Sequence, residues 1–184
     1  MKITPLSIPD VLLIEPSVFE DSRGFFFESF RDDVFKKETS LDVSFVQDNH
    51  SKSSKGVLRG LHYQLPPHAQ GKLTRVIQGE VLDIAVDIRE SSPTCGQYVA
   101  EILSSDNKKQ LYIPEGFAHG FLTLSKTSEY LYKTTDFYHP KSERCILWND
   151  ATLSIEWAKD IKIKLSSKDL LGKTFESSLL LSSK

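Results

Sequence analysis

The chain has 184 residues, 39% of them hydrophobic and 26% charged, with a formal net charge of −2. At ~150 residues per domain this is one domain, 1–184, able to bury about 70% of its unfolded surface without disulfide or metal staples. The balanced charge excludes an overall basic footprint for nucleic acid, and no apolar run approaches membrane-spanning length. Cys95 and Cys145 make neither a disulfide framework nor a zinc-type spacing, and Met1-Lys2-Ile3-Thr4-Pro5 has no apolar signal region. Both features predict a cytoplasmic protein.

Strand signals dominate along the chain. Segment 11–14 comes first, and 25–30 follows the turn Asp21-Ser22-Arg23-Gly24. A short helix is expected at 31–38, then strands at 43–47 and 57–64. Strand 73–77 runs into Gln78-Gly79, a hairpin turn. In 81–88, Leu82, Ile84, Val86 and Ile88 share one face and Asp83 and Asp87 the other, a period of two. Further strands are expected at 98–103, 110–113, 120–124, 129–135 and 145–148. A second helix at 166–172 ends on Gly172. The tail 177–184 is a candidate for fraying, with Leu179, Leu180 and Leu181 able to dock. Many short strands with turn punctuation predict an all-β sandwich or small barrel.

Several residues could carry chemistry. Strand alternation over 57–64 puts Leu58, Gly60, His62 and Gln64 on one face and Arg59, Leu61 and Tyr63 on the other. A histidine facing into a barrel needs a polar partner, a need that a core carbonyl also meets. His119 closes Pro114-Glu115-Gly116-Phe117-Ala118-His119, a PxGxxH pattern that in cupins delivers an inward ligand. Metal-binding cupins also need an HxH pair, whereas this chain reads His62-Tyr63-Gln64, so no metal cofactor is expected. Arg23 and Glu28 flank Phe25-Phe26-Phe27, a run that can grip a phosphate and stack a base, although phenylalanines in a strand also serve as core. Tyr130 and Tyr132 share a strand face. Lys72 and Asp169, taken singly, read as a solvated lysine and a helix cap.

Together these segments resemble the dTDP-4-dehydrorhamnose 3,5-epimerases. The match includes 21–28, 47–51, 56–64, 71–73, 79–83, 113–120, 130–132, 143–150 and 165–169, in the family's order. The resemblance implies a cupin-type jelly roll, a homodimer that exchanges an N-terminal strand, a dTDP-sugar substrate and no cofactor. It implies His62 as base paired with Asp169, Tyr132 as acid and Lys72 as stabiliser of the enolate. It also implies substrate contacts from Arg23, Phe26, Glu28, Gln47, Asn49, Arg59, His119, Tyr138, Glu143 and Lys168. One departure is Ala158-Lys159 after Trp157, where many relatives have proline.

Other readings remain at this point. An epimerase of C3 alone or C5 alone would keep most of these residues. A non-catalytic sugar-nucleotide module could lose the His62, Lys72 and Tyr132 set, which this chain keeps. A 3,4-ketoisomerase fits the His62 and Tyr132 pair less well, and a metal-dependent oxygenase lacks its HxH.

Overall fold

Residues 1–179 are described by a computed structural model built on two facing antiparallel sheets. The first sheet orders β1 (Lys2–Pro5), β2 (Leu12–Glu15), β10 (Gln110–Ile113), β7 (Lys72–Gln78), β12 (Thr127–Thr134) and β5 (Gln47–Ser54). The second orders β13 (Glu143–Cys145), β6 (Leu58–Gln64), β11 (Phe117–Thr123), β8 (Glu80–Asp87) and β9 (Tyr98–Ser104). A separate hairpin joins β3 (Phe19–Asp21) to β4 (Gly24–Phe26). The helices are α1 (Asp32–Thr39) and α2 (Ser167–Leu170). This is the jelly roll that the family resemblance implies, and none of its described helices is long and apolar enough to cross a membrane. The tail from 180 onward lies outside the described residues; Leu179 packs against the core.

Three apolar layers hold the sheets. Between them lie Val76, Val81, Leu111, Phe121 and Tyr130. Outside the second sheet, Leu58, Leu61, Ile84 and Val86 are covered by the C-terminal segment through Leu153, Trp157 and Phe175. Outside the first, Phe35 of α1 packs with Leu73 and Tyr112. Strand β8 therefore buries both its faces. Its Ile84 and Val86 meet the C-terminal cover, and its Asp83 is fully buried between the sheets. The cover is tied down by Asp150, whose carboxylate accepts from the backbone N–H of Thr152, Leu153 and Phe175 at 2.9–3.2 Å.

Two expected strands move. The segment expected at 43–47 is a strand at Gln47–Ser54, and that expected at 145–148 is Glu143–Cys145. The sequence of β5, QDNHSKSS, has no apolar period, because one face borders a polar cavity and the other meets solvent. The strand expected at 25–30 shrinks to Gly24–Phe26, and β1, an edge strand ending in Pro5, was not expected.

The alternation along β6 is also corrected. β11 pairs His119 with His62 but Phe121 with Arg59, so Gly120 faces two residues, Gly60 and Leu61. This bulge turns Arg59 to the same side as His62, and both line one cavity. Leu58, Leu61 and Tyr63 all pack in the outer layer. Gly60 has φ +133°, and a Cβ there would stand 2.5 Å from the Cα of Gly120. Gly60→Ala is therefore expected to cost about 2 kcal/mol or more in urea unfolding. An unchanged midpoint would show that the bulge tolerates a side chain.

Candidate active site

The sheets open onto a cavity of about 300 Å³. His62 and Asp169 border it on the second-sheet side, and Lys72 and Tyr132 on the first-sheet side. Arg59, His119, Tyr138, Glu143 and Lys168 line it as well. Nine of the fourteen residues singled out from sequence thus meet in one place.

Asp169 is nearly fully buried and connects three elements. Its Oδ1 lies 2.7 Å from His62 Nε2 and accepts from the Gly60 N–H at 3.3 Å. Its Oδ2 accepts from the Ser166 hydroxyl at 2.6 Å and the Ser166 N–H at 3.2 Å, while the Asp169 N–H donates back to the Ser166 hydroxyl. That reciprocal cap starts α2 and fixes the carboxylate. The His62 contact is a close approach of a ring nitrogen to a carboxylate oxygen. Burial pushes the Asp169 carboxyl up, but bonds from His62 and Ser166 outweigh it and hold the group at about 2.

Across the cavity, Tyr132 lies on β12 with Asn49 of β5 opposite it in register. Burial raises the Tyr132 phenol above its ordinary value, against a smaller lowering by Arg59, so it stays protonated at neutral pH. Lys72 is buried at the start of β7, and its Nζ donates to the His62 carbonyl at 3.2 Å. Burial lowers its ammonium to about 8, with Asp83 and Glu143 pulling the other way. It is therefore a cation at pH 7 that needs little further desolvation.

Sequence reasoning missed the floor of the site. Asp83 Oδ1 bonds His119 Nε2 at 2.8 Å, and Asp83 Oδ2 accepts from the Tyr130 and Thr74 hydroxyls. His119 is buried, and burial lowers its pKa despite Asp83, which leaves a neutral ring held in one orientation. The available signal was a carboxylate alternating with apolar residues in a strand buried on both faces. At the rim, Glu143 accepts from the Tyr138 hydroxyl at 2.6 Å and from Lys168 Nζ.

Five of the expected site residues lie elsewhere. Gln47 and Asn49 bond each other on β5, where Gln47 also accepts from the Tyr138 N–H. Arg23 and Phe26 sit on the exposed β3–β4 hairpin, with Arg23 paired to Asp21 at 2.6 Å. Glu28 pairs with Arg31. Arg23, Phe26 and Glu28 therefore do not line the cavity of their own chain. The hairpin is a two-stranded unit hydrogen-bonded to neither main sheet.

The low Asp169 value has a consequence for stability. Its contribution is complete above the unfolded carboxyl pKa of about 4 and is lost as pH falls through about 2. The stability gap between wild type and Asp169→Asn should narrow by about 2 kcal/mol between pH 5 and pH 2 in urea titrations. A constant gap would mean that the carboxylate gains nothing from its bonds.

The chain is similar throughout its length to proteins of one kind. The profile described as dTDP-4-dehydrorhamnose 3,5-epimerase matches residues 5–177. A Pseudomonas aeruginosa protein of that name is 59% identical over 175 residues, covering 95% of this chain and 96% of the relative. The solved Legionella pneumophila dTDP-6-deoxy-D-glucose-3,5-epimerase, in complex with dTDP-4-keto-L-rhamnose, superposes with a TM-score of 0.94 at 46% identity, covering 100% of this chain and 99% of its own. ChmJ, a 3'-monoepimerase from Streptomyces bikiniensis solved with dTDP-quinovose, superposes with a TM-score of 0.90 at 32% identity, covering 96% and 91%. The chain belongs to the dTDP-4-dehydrorhamnose 3,5-epimerase family.

Proposed function

We propose that this cavity inverts C3 and C5 of dTDP-4-dehydro-6-deoxy-D-glucose to give dTDP-4-dehydro-L-rhamnose, with His62 as base, Tyr132 as acid and Lys72 at the enolate oxygen. The observation that carries the reading is the placing of a carboxylate-backed histidine and a protonated phenol on facing sheets. The C4 ketone acidifies the hydrogens on C3 and C5. His62 takes one of them, and Asp169 stabilises the imidazolium that forms. Negative charge then develops on O4, where a cation already stripped of water stabilises it most. Tyr132 returns a proton to the opposite face, and the centre is inverted. The reaction changes no oxidation state, so acid–base groups of the chain suffice for it. Inversion of both centres is favoured over one because relatives named as 3,5-epimerases reach 59% identity, against 32% for the monoepimerase structure.

The diphosphate calls for cations, and Arg59 and Lys168 supply them at the cavity. Arg23, Phe26 and Glu28 complete the nucleotide site from a second copy, in a homodimer. Two facts support this: the hairpin exposes Phe19, Phe25 and Phe26 together, and Arg23 does not line the cavity of its own chain. Gln47 and Asn49 extend the polar face of β5 away from Ser51.

Proton NMR of the product from dTDP-4-dehydro-6-deoxy-D-glucose in deuterated water tests the reaction. Deuterium at both C3 and C5 in an L-configured sugar is expected, and one inverted centre would make this a monoepimerase. His62→Ala should fold and lose turnover; near wild-type activity would remove His62 as base. Arg23→Ala should weaken dTDP binding by roughly 1.5–3 kcal/mol in calorimetry. Co-expressing Arg23→Ala with His62→Ala should restore about a quarter of the sites, since each mixed dimer regains one intact pair. No restoration would place Arg23 in its own chain's site.

A further inference from the structure

β13 pairs with β6 in a register that sets Cys145 directly opposite His62. Asp169 reaches the same point from α2. A nitrogen of His62, the sulfur of Cys145 and a carboxylate oxygen of Asp169 all lie within 4.8 Å of one another, the one such group of three among the described residues. We propose that these side chains bind a thiophilic divalent cation, Zn²⁺ or Cd²⁺, which seats on the dyad and inhibits the enzyme reversibly.

The donor set suits such an ion. Zinc takes sulfur, imidazole nitrogen and carboxylate oxygen tetrahedrally at about 2.0–2.3 Å, which puts neighbouring donors roughly 3.3–3.8 Å apart. His62 Nε2 and Asp169 Oδ1, now 2.7 Å apart, need to separate by about 1 Å or less, while the sulfur closes in. Side-chain rotation supplies both movements. His62 and Asp169 line the cavity, so water reaches the ion from that side. The Cys145 thiol gives up only a weak bond of 3.5 Å to the Ile146 carbonyl, but burial pushes the thiol up to about 12, a cost that its bond to the ion offsets. The second oxygen of Asp169 stays anchored by Ser166, the outer-shell support that metal-bound carboxylates use. Lys72 and Lys168 oppose the ion, and Asp83 and Glu143 offset them. On binding, the Cys145 thiol loses its proton to buffer, His62 gives its neutral lone pair, and no electron is transferred.

The sequence spacing hid this site. His62, Cys145 and Asp169 lie on three separate segments, and an HxH search along one strand does not find a set assembled across two strands and a helix. The inhibition rests on His62 being the base, because an ion on Nε2 leaves the neutral ring's proton on the other nitrogen, with no lone pair to take one from substrate. The binding itself does not rest on it.

The test uses full-length protein freed of metal by a chelator. Cd²⁺ titration should produce a thiolate-to-cadmium charge-transfer band at one ion per chain. Cys95→Ser should keep the band and Cys145→Ser should lose it. Without metal, Cys145→Ser should keep epimerase activity, and Zn²⁺ should inhibit it at least tenfold more weakly than wild type. X-ray absorption of Zn²⁺-loaded wild type should show one sulfur among nitrogen and oxygen neighbours, a readout independent of how the variant folds. A band that persists in Cys145→Ser, or a zinc shell without sulfur, would overturn the site. Zinc bound through sulfur while turnover continues would keep the site and overturn His62 as base.

Discussion

One buried carboxylate holds the active part of this fold together. Asp169 bonds the cap of α2, the N–H of Gly60 in the β6 bulge and the ring of His62. The C-terminal segment therefore does more than cover the outer apolar layer. It delivers the anion that orients His62, from a point more than a hundred residues away in the chain. A carboxylate taken out of water is costly unless its lone pairs are filled, and here the partners that fill them are the groups that need positioning. Stability and base orientation depend on the same bonds.

The rest of the cavity follows the same logic of paired burial. Lys72 and Asp83 are both buried, and each offsets the charge of the other in water-poor surroundings. Asp83 then has two acceptor oxygens to spend, one on His119 and one on the hydroxyls of Tyr130 and Thr74. Tyr130 stacks on Phe121 at 4.1 Å, so the polar floor is walled by the apolar layer between the sheets. Lys72 is thus held as a buried cation at the cavity, which is the condition for electrostatic preorganisation.

Much of this was legible in the sequence, and the gaps have physical reasons. The strand with apolar alternation, 81–88, falls within a residue of where periodicity puts it. β5 was displaced because a strand between a polar cavity and solvent has no apolar face to read. Arg59 was put on the wrong side because one extra residue at Gly60-Leu61 breaks the period of two, and a bulge leaves no trace in composition. His62, Lys72, Tyr132 and Asp169 were expected together only through the family resemblance, since spacing alone cannot join four distant segments. Asp83 and Cys145 went unnoticed because their partners come from register, which only the paired strands define. Arg23, Phe26 and Glu28 lie away from the cavity of their own chain, a separation that a linear sequence does not display.

In the proposed reaction His62 on one sheet and Tyr132 on the other act on opposite faces of the sugar. Tyr132→Phe separates the two roles. His62 can still remove a proton and return deuterium to the same face, whereas inversion needs the missing donor. NMR in deuterated water follows label and configuration in one sample. Tyr132→Phe is expected to incorporate deuterium at C3 or C5 while the L-configured product forms roughly 10²-fold or more slowly. Inversion of both centres at the wild-type rate would contradict it and assign the second proton to another donor.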